Sequence, residues 1–183
     1  MDVATIILAG GEGKRIGIPK VRLSIYGIPL YLFSLRYPTR KLFVTLRNRI
    51  PRLPPDVELV IDRGLGPALA IKEALKRISE EYVVIRPIDM PFLRRSTVSQ
   101  YIGRGIVVFA SDKIHRVASI RPREELSIES PRVRDMFKGK SYSIIRLDHC
   151  EGLNINTLED LLAGVKCFEE HYGSIDAFAK REP

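Results

Sequence analysis

The chain has 183 residues, of which 45% are hydrophobic, and it carries a formal net charge of +8. This length favours a single domain over residues 1–183, and the hydrophobic content excludes an intrinsically disordered chain. The positive charge is compatible with two classes of partner, nucleic acids and phosphorylated small molecules. Because the cations are scattered and no aromatic residues are interleaved with them, the sequence favours small molecules over nucleic acid.

The first apolar run is too short to cross a membrane, and it leads directly into a glycine-rich segment. A signal peptide would carry positive charge before its apolar run, whereas this chain has Asp2 there. We therefore predict a cytoplasmic protein without a membrane partner. We expect it to be a monomer or a weak homo-oligomer.

Short apolar runs rich in β-branched residues alternate with helical patterns along the chain. The predicted strands are Thr5–Leu8, Leu42–Leu46, Val57–Ile61, Tyr82–Ile85, Ile106–Ala110, Arg116–Ile120 and Ser143–Leu147. Helices are predicted over Leu30–Leu35 and from Pro67 onward. This alternation predicts an α/β fold of Rossmann-like type, in which helices cover both faces of a doubly wound, mostly parallel sheet.

The last long helix is predicted to begin at Asn156 or Thr157. Thr157 and Asp160 have the spacing of a capping box, in which each side chain bonds to the backbone N–H of the other residue. The apolar face predicted for this helix consists of Leu158, Leu161, Leu162, Val165 and Phe168.

A glycine-rich loop with three cations follows the first predicted strand. Its residues are Leu8, Ala9, Gly10, Gly11, Gly13, Lys14, Arg15, Gly17 and Lys20. Glycines allow the backbone to approach a ligand closely, and successive backbone N–H groups can bind an anion. The spacing matches neither a P-loop nor a dinucleotide-binding fingerprint. The sequence therefore predicts a polyphosphate site of a different type.

Polar side chains follow two further predicted strands and precede the last helix. Asp62 and Asp89 each come just after a strand, and Asn154 and Asn156 alternate before the helix. Mg²⁺ bound to a nucleotide takes one or two protein carboxylates together with phosphate oxygens, so Asp89 is the candidate metal ligand. For Asp62, a helix-start residue is an equally good interpretation. Asn154 and Asn156 could bind a ligand or only cap the helix.

The two cysteines, Cys150 and Cys167, are too few for a disulfide framework and lack metal-site spacing, so we predict free thiols. Asp148, His149, Cys150 and Glu151 are consecutive, and adjacent side chains diverge. We therefore do not expect these four residues to surround a metal ion.

The segment L-A-G-G-E-G-K-R-I-G-I-P-K resembles the signature loop of nucleotidyltransferases that activate sugars and cofactors, with Ile16 in place of the usual methionine. Together with P-I-D-M-P-F-L around Asp89 and N-I-N-T-L-E-D-L from Asn154, it resembles the molybdenum cofactor guanylyltransferases. Leu158 departs from the proline of that family's pattern. The segment Leu69-Ala70-Ile71 departs from the usual tail after Gly66-Pro67.

This resemblance implies an Mg²⁺-dependent transfer of GMP from GTP to the phosphate of molybdopterin, with release of pyrophosphate. It implies catalytic roles for Arg15, Lys20 and Asp89, and Asp89 is the implied Mg²⁺ ligand. The implied nucleotide-binding residues are Leu8, Ala9, Gly10, Gly11, Gly13, Lys20, Asp62 and Asp89. Asn154 and Asn156 are implied on the acceptor side, where Arg86 or Arg132 could add charge.

Three alternatives remain open from the sequence. Cobinamide-phosphate guanylyltransferases resemble this chain at the glycine loop and at the Asn-x-Asn-Thr segment. A cytidylyl variant would use the same chemistry with another base. A non-catalytic nucleotide-binding module is less compatible with the sequence, because both Lys20 and Asp89 are present.

Overall fold

The computed structural model describes residues 2–37, 39–111, 118–126 and 128–180. The strands are β1 (Val3–Leu8), β2 (Ser24–Ile25), β3 (Ile28–Pro29), β4 (Arg40–Leu46), β5 (Val57–Asp62), β6 (Tyr82–Pro87), β7 (Val107–Ala110), β8 (Ser119–Pro122) and β9 (Ser143–Arg146). The α-helices are α1 (Leu30–Leu35), α2 (Pro67–Leu75), α3 (Arg95–Ser99), α4 (Leu158–Tyr172) and α5 (Ile175–Lys180). Short 3₁₀ helices cover Lys20–Arg22, Arg47–Arg49, Arg123–Glu125 and Val133–Phe137.

The described residues form a seven-stranded sheet in the order β5-β4-β1-β6-β8-β7-β9. Strands β5, β4, β1 and β6 are parallel to one another, and β9 is parallel to β7. Strand β8 is antiparallel to both of its neighbours. Only residues 111–118 join β7 to β8, whereas a crossover between parallel strands needs about a dozen residues or more. The short connection therefore explains why β8 is antiparallel to β7. The predicted α/β class with a mostly parallel sheet is confirmed.

Helices pack on both faces of this sheet, as the alternation of side chains along a strand requires. In β1, Ile6 contributes to the core that contains Ile71 of α2. The next residue, Ile7, belongs to the opposite core, together with Tyr31 of α1. Both isoleucines are completely buried, which accounts for the continuous apolar run of this central strand.

The predicted strand bounds differ from the observed ones in detail. For the predicted strand Arg116–Ile120, residues 116 and 117 lie outside the described part of the chain, and the observed strand is Ser119–Pro122. The hairpin of β2 and β3 was not predicted, since each strand has two residues. Its turn uses Tyr26 and Gly27 with φ of 52° and 76°, values typical of a tight hairpin turn.

Helix α4 begins with the predicted capping box between Thr157 and Asp160. Its predicted apolar face is wrong at two positions, because Leu158 and Leu162 are 58% and 66% exposed. The helix instead packs through Gly164, where an added Cβ would lie 2.9 Å from the Ile25 side chain. Close contact with β2 therefore selects the buried face. No helix in the described ranges is long and apolar enough to cross a membrane.

Candidate active site

A cavity of about 330 Å³ lies at the carboxyl ends of β1, β4, β5 and β6. Ligands of open α/β sheets bind at this edge. Of the predicted nucleotide-binding residues, those that line the cavity are Leu8, Gly10, Gly11, Lys20, Asp62 and Asp89. Ala9 and Gly13 are buried and do not line it. The cavity thus lies at the predicted edge of the sheet, and six of the eight predicted nucleotide-binding residues line it.

The glycine loop turns at Gly13, whose φ is +61°. An added Cβ there would lie 1.9 Å from the backbone oxygen of Ile18, so only glycine fits. The carbonyl of Gly13 accepts hydrogen bonds from Ile16 and Gly17, at 2.9 and 2.8 Å. Gly13 therefore determines the shape of the loop, although it does not line the cavity.

Gly10 brings the backbone close to Asp62. A Cβ at Gly10 would lie 3.0 Å from Oδ2 of Asp62, while Oδ1 of Asp62 accepts a hydrogen bond from the Gly64 amide at 2.8 Å. The Gly10 carbonyl accepts a hydrogen bond from Arg49 Nη1 at 2.9 Å. Arg49 was missed by the sequence reasoning, because no motif marks a distant cation that holds a loop by its backbone.

Three predicted site residues meet in one polar cluster. The Lys20 ammonium forms an ion pair with Oδ2 of Asp89 and donates a hydrogen bond to Oδ1 of Asn156 at 2.6 Å. Asn156 Nδ2 in turn donates to Oδ1 of Asn154 at 2.7 Å. The side chains of Lys20 and Asp89 are only 12% and 15% exposed, which strengthens their attraction relative to a surface pair.

The second carboxylate oxygen of Asp89, Oδ1, is buried and has no hydrogen-bond partner among the described residues. A buried polar atom without a partner is costly unless something binds it. A carboxylate oxygen is the type of ligand that Mg²⁺ prefers, so Asp89 fits the predicted metal role.

A second cavity, of about 800 Å³, adjoins the cluster at Asn156. Asn154 and Asn156 line it, and so does Arg15, whose side chain is exposed. The structure thus places Arg15 with the predicted acceptor residues, away from the lining of the first cavity. Since Asn156 bonds to Lys20, the polar cluster connects the two cavities.

The loop that carries Asn154 and Asn156 is held at its middle residue, Ile155, and at Glu151 just before it. The Ile155 amide donates to the backbone oxygen of Asp89 at 2.8 Å. Glu151, only 3% exposed, accepts a hydrogen bond from Thr97 Oγ1 at 2.7 Å and pairs with Arg94. The hydrogen bond that Arg94 donates to the Glu151 carboxylate raises the pKa of Arg94.

Cys150 and Cys167 form a disulfide, so the prediction of free thiols is wrong. The bond joins the loop before Asn154 to α4. His149 and the two sulfurs lie within 4.8 Å of one another, but both sulfurs belong to the disulfide. Cys150 and Cys167 are 17 residues apart in the sequence, and this spacing does not show that the fold brings the two cysteines together.

Arg86 was suggested for the acceptor side, but its side chain is 1% exposed and its hydrogen bonds are directed inward. Arg132 follows Pro131, whose backbone oxygen accepts a hydrogen bond from Ala68 of α2 at 3.3 Å. Neither residue lines the cavity with Asn154 and Asn156. Arg15 brings a positive charge to this cavity, whose lining also includes the carboxylates of Asp148 and Asp160.

The sequence model of the MobA-like NTP transferase domain matches residues 5–142. The chain belongs to this family. The match includes the glycine loop, Asp62 and Asp89, and it ends before the Asn154–Asn156 loop. The protein is accordingly an enzyme of the nucleotidyltransferase class.

Individual MobA-like relatives are similar at modest identity. A probable molybdenum cofactor guanylyltransferase of Opitutus terrae is 29% identical over 146 residues, which is 72% of each chain. One from Aquifex aeolicus is 23% identical and covers 91% of each chain. Both names belong to molybdenum cofactor biosynthesis.

Solved structures confirm the fold. Molybdopterin-guanine dinucleotide biosynthesis protein A from Archaeoglobus fulgidus superposes with a TM-score of 0.71 at 20% identity, over 91% of this chain and 99% of that one. A 2-C-methyl-D-erythritol 4-phosphate cytidylyltransferase from Thermus thermophilus gives 0.70 at 15% identity, over 91% and 98%. The nucleotidyltransferase fold is therefore shared by transferases of different substrates.

Proposed function

We propose that the protein transfers GMP from GTP to the terminal phosphate of molybdopterin and releases pyrophosphate. The observation that carries this proposal is the polar cluster of Lys20, Asp89 and Asn156 between two cavities. One cavity is lined by the glycine loop and the other by Asn154, Asn156 and Arg15. The names of the Opitutus and Aquifex relatives support the choice of substrates.

The proposed reaction needs no strong general base. The acceptor is a phosphate monoester with a second pKa of about 6, so it is largely dianionic at pH 7. Its oxygen attacks the α-phosphorus of GTP, and the bond from that phosphorus to the bridging oxygen breaks as pyrophosphate leaves. The protein then has to align the two phosphates and reduce their mutual repulsion.

In this proposal, Lys20 reduces the repulsion between the two phosphates. Its ammonium has three N–H donors, and Asp89 and Asn156 use two of them. No residue in the described part of the chain uses the third donor, which in this proposal binds a phosphate oxygen at the junction of the cavities. Arg15 adds positive charge on the acceptor side.

Asp89 would hold Mg²⁺, which when bound supplies positive charge to the triphosphate. The Asp89 carboxylate is positioned by its bond to Lys20 and by the bond of its backbone oxygen to Ile155. Gly10 and Gly11 allow the triphosphate to approach the backbone, and Asp62 lies beside Gly10 in the nucleotide cavity.

The test is pyrophosphate release by the purified protein with Mg²⁺, molybdopterin and each of GTP, CTP, ATP and UTP. We expect release that requires molybdopterin and is fastest with GTP. A preference for CTP would replace the proposal with the cytidylyl variant. Release from no nucleotide, in a protein that also fails to bind them in thermal-shift measurements, would refute nucleotidyl transfer to molybdopterin.

A further inference from the structure

Arg86 is a buried cation that lines neither the glycine-loop cavity nor the cavity of Asn154 and Asn156. Contact with a ligand in either cavity therefore does not explain its presence. It lies near the end of β6, opposite Ile7 of β1, and is 1% exposed. Its hydrogen-bond partners among the described residues are one hydroxyl group and three backbone carbonyls. Burial of a charge is costly unless its donors are satisfied.

The three carbonyls belong to the loop that carries Asp89. Arg86 Nη1 donates to the Leu93 oxygen at 2.6 Å, and Nη2 donates to the oxygens of Met90 and Pro91 at 3.3 and 2.9 Å. The planar guanidinium offers five donors in a fixed fork, so one side chain can bind several carbonyls at once. A lysine ammonium lacks this geometry.

The guanidinium is itself held in place from behind. Its Nε donates to Ser34 Oγ of α1 at 3.0 Å, and its central carbon lies 4.6 Å from the centre of the Tyr37 ring. Burial raises the pKa of Tyr37, and its hydroxyl donates to the Leu93 oxygen at 3.3 Å. The Asp89 loop is thus attached to α1 through Arg86.

The opposite side of the same loop faces the site. The Ile88 amide donates to the Leu8 oxygen at 3.1 Å, and the Asp89 oxygen accepts from Ile155 at 2.8 Å. The backbone around Asp89 is therefore hydrogen-bonded to β1 and to the loop of Asn154 and Asn156 on the side that faces the cavities. On the opposite side it is hydrogen-bonded to Arg86.

We propose that Arg86 is a positioning residue that fixes the Asp89 carboxylate for Mg²⁺ by binding the carbonyls of Met90, Pro91 and Leu93. This inference rests on the proposed function, because it assigns Mg²⁺ to Asp89. Residues that orient a metal ligand without touching the metal typically contribute about tenfold to a hundredfold in metal affinity or activity.

The experiment compares Arg86→Met with Arg121→Met. Arg121 is a matched control, because it is also fully buried and also donates to a backbone carbonyl, that of Met136 at 3.3 Å. Burial lowers the pKa of Arg121 to about 10. It pairs with Val83 near the beginning of β6, at the end of the sheet opposite to Asp89.

Two quantities are measured for each variant: the melting temperature, and the Mg²⁺ concentration that half-saturates GTP binding in titration calorimetry. We expect both variants to melt at lower temperature than the wild type. Only Arg86→Met should raise the half-saturating Mg²⁺ concentration, by about tenfold. GTP binding in the presence of EDTA should change little in either variant.

If Arg86→Met does not fold, Arg86→Lys decides the question, because it keeps the charge but not the fork. A folded Arg86 variant with the wild-type Mg²⁺ requirement, or an equal shift in Arg121→Met, would overturn the inference and leave the proposed function intact. A wild-type protein whose GTP binding does not depend on Mg²⁺ would overturn the assignment of Mg²⁺ to Asp89 and this inference together.

Discussion

At the scale of single residues, the proposed chemistry depends mainly on the ion pair between Lys20 and Asp89. Lys20 binds both Asp89 and Asn156, so a nucleotide-side carboxylate and an acceptor-side amide share one ammonium group. The sequence predicted these residues through motifs, but motifs separated by up to 136 positions do not show which side chains touch. That required the fold.

We expect Asp89→Asn to lose essentially all Mg²⁺-dependent turnover, a decrease of about a hundredfold or more. The substitution removes the charge of the metal ligand with little change in side-chain volume. The variant should still fold, with a lower melting temperature because the partly buried ion pair with Lys20 is lost. Asp56→Asn is the control, since Asp56 is an exposed carboxylate that also pairs with a lysine, Lys41. Full activity of purified Asp89→Asn would exclude Asp89 as the metal ligand.

Lys20→Ala should reduce kcat/KM far more than Lys14→Ala. The Lys14 side chain is 82% exposed and pairs with Glu12 at 3.0 Å, an exposed contact worth about 1 kcal/mol or less. Lys20 is 12% exposed and lies at the cluster. Steady-state rates for the two variants provide the comparison, and equal losses would contradict the assignment of Lys20.

At the scale of elements, the glycine loop is set by backbone geometry that sequence patterns reveal only in part. Gly13 and Gly17 both have positive φ, but only Gly13 is confined by a neighbouring backbone atom. Glycine spacing predicted a tight loop, whereas the contact of Gly13 with Ile18 depends on how the loop closes.

Gly13→Ala should therefore be much more damaging than Gly17→Ala. Both substitutions incur the cost of positive φ, about 1 kcal/mol each, but an added methyl group at Gly17 meets no atom within 4 Å. Kinetic constants for GTP and melting curves measure the difference. If the two variants lose equal activity and stability, the loop does not close as described.

The disulfide encloses the acceptor loop, since Asn154 and Asn156 lie between Cys150 and Cys167. For a loop of this length, the chain-entropy model gives a stabilisation of about 3 kcal/mol. We expect Cys167→Ser to lower the melting temperature, and reduction of the wild type to do the same. The KM for the acceptor should rise more than the KM for GTP.

An unchanged melting temperature on reduction would contradict a stabilising role for the disulfide. The double variant Cys150→Ser/Cys167→Ser is the control, because added reductant should not change its melting temperature.

At the scale of the whole molecule, the sequence predicted the features that depend on apolar strand segments and on helix-capping residues. It predicted the α/β class and the capping box of α4, and it put the candidate site at the carboxyl edge, where the structure has a cavity. It did not predict the direction of β8 or the exposure of Leu158 and Leu162, because these depend on tertiary packing. For the same reason it did not predict the inward direction of Arg86.

The structure also bears on acceptor choice. The glycine loop and Asp89 act on phosphates, which molybdopterin and cobinamide phosphate both contain, so they cannot distinguish the two acceptors. In the proposed function, discrimination comes from the cavity lined by Asn154, Asn156 and Arg15. Its amides offer hydrogen bonds that a flat pterin can use and that a bulky, mostly apolar corrinoid cannot.

The most direct measurement is kcat/KM for the two acceptors, molybdopterin and cobinamide phosphate, each with GTP and Mg²⁺. A site built for hydrogen bonds rejects a ligand that leaves them unpaired by as much as about 10⁴-fold. We therefore predict a kcat/KM for molybdopterin that is higher by orders of magnitude. A value for cobinamide phosphate equal to or above that for molybdopterin would contradict the proposed acceptor.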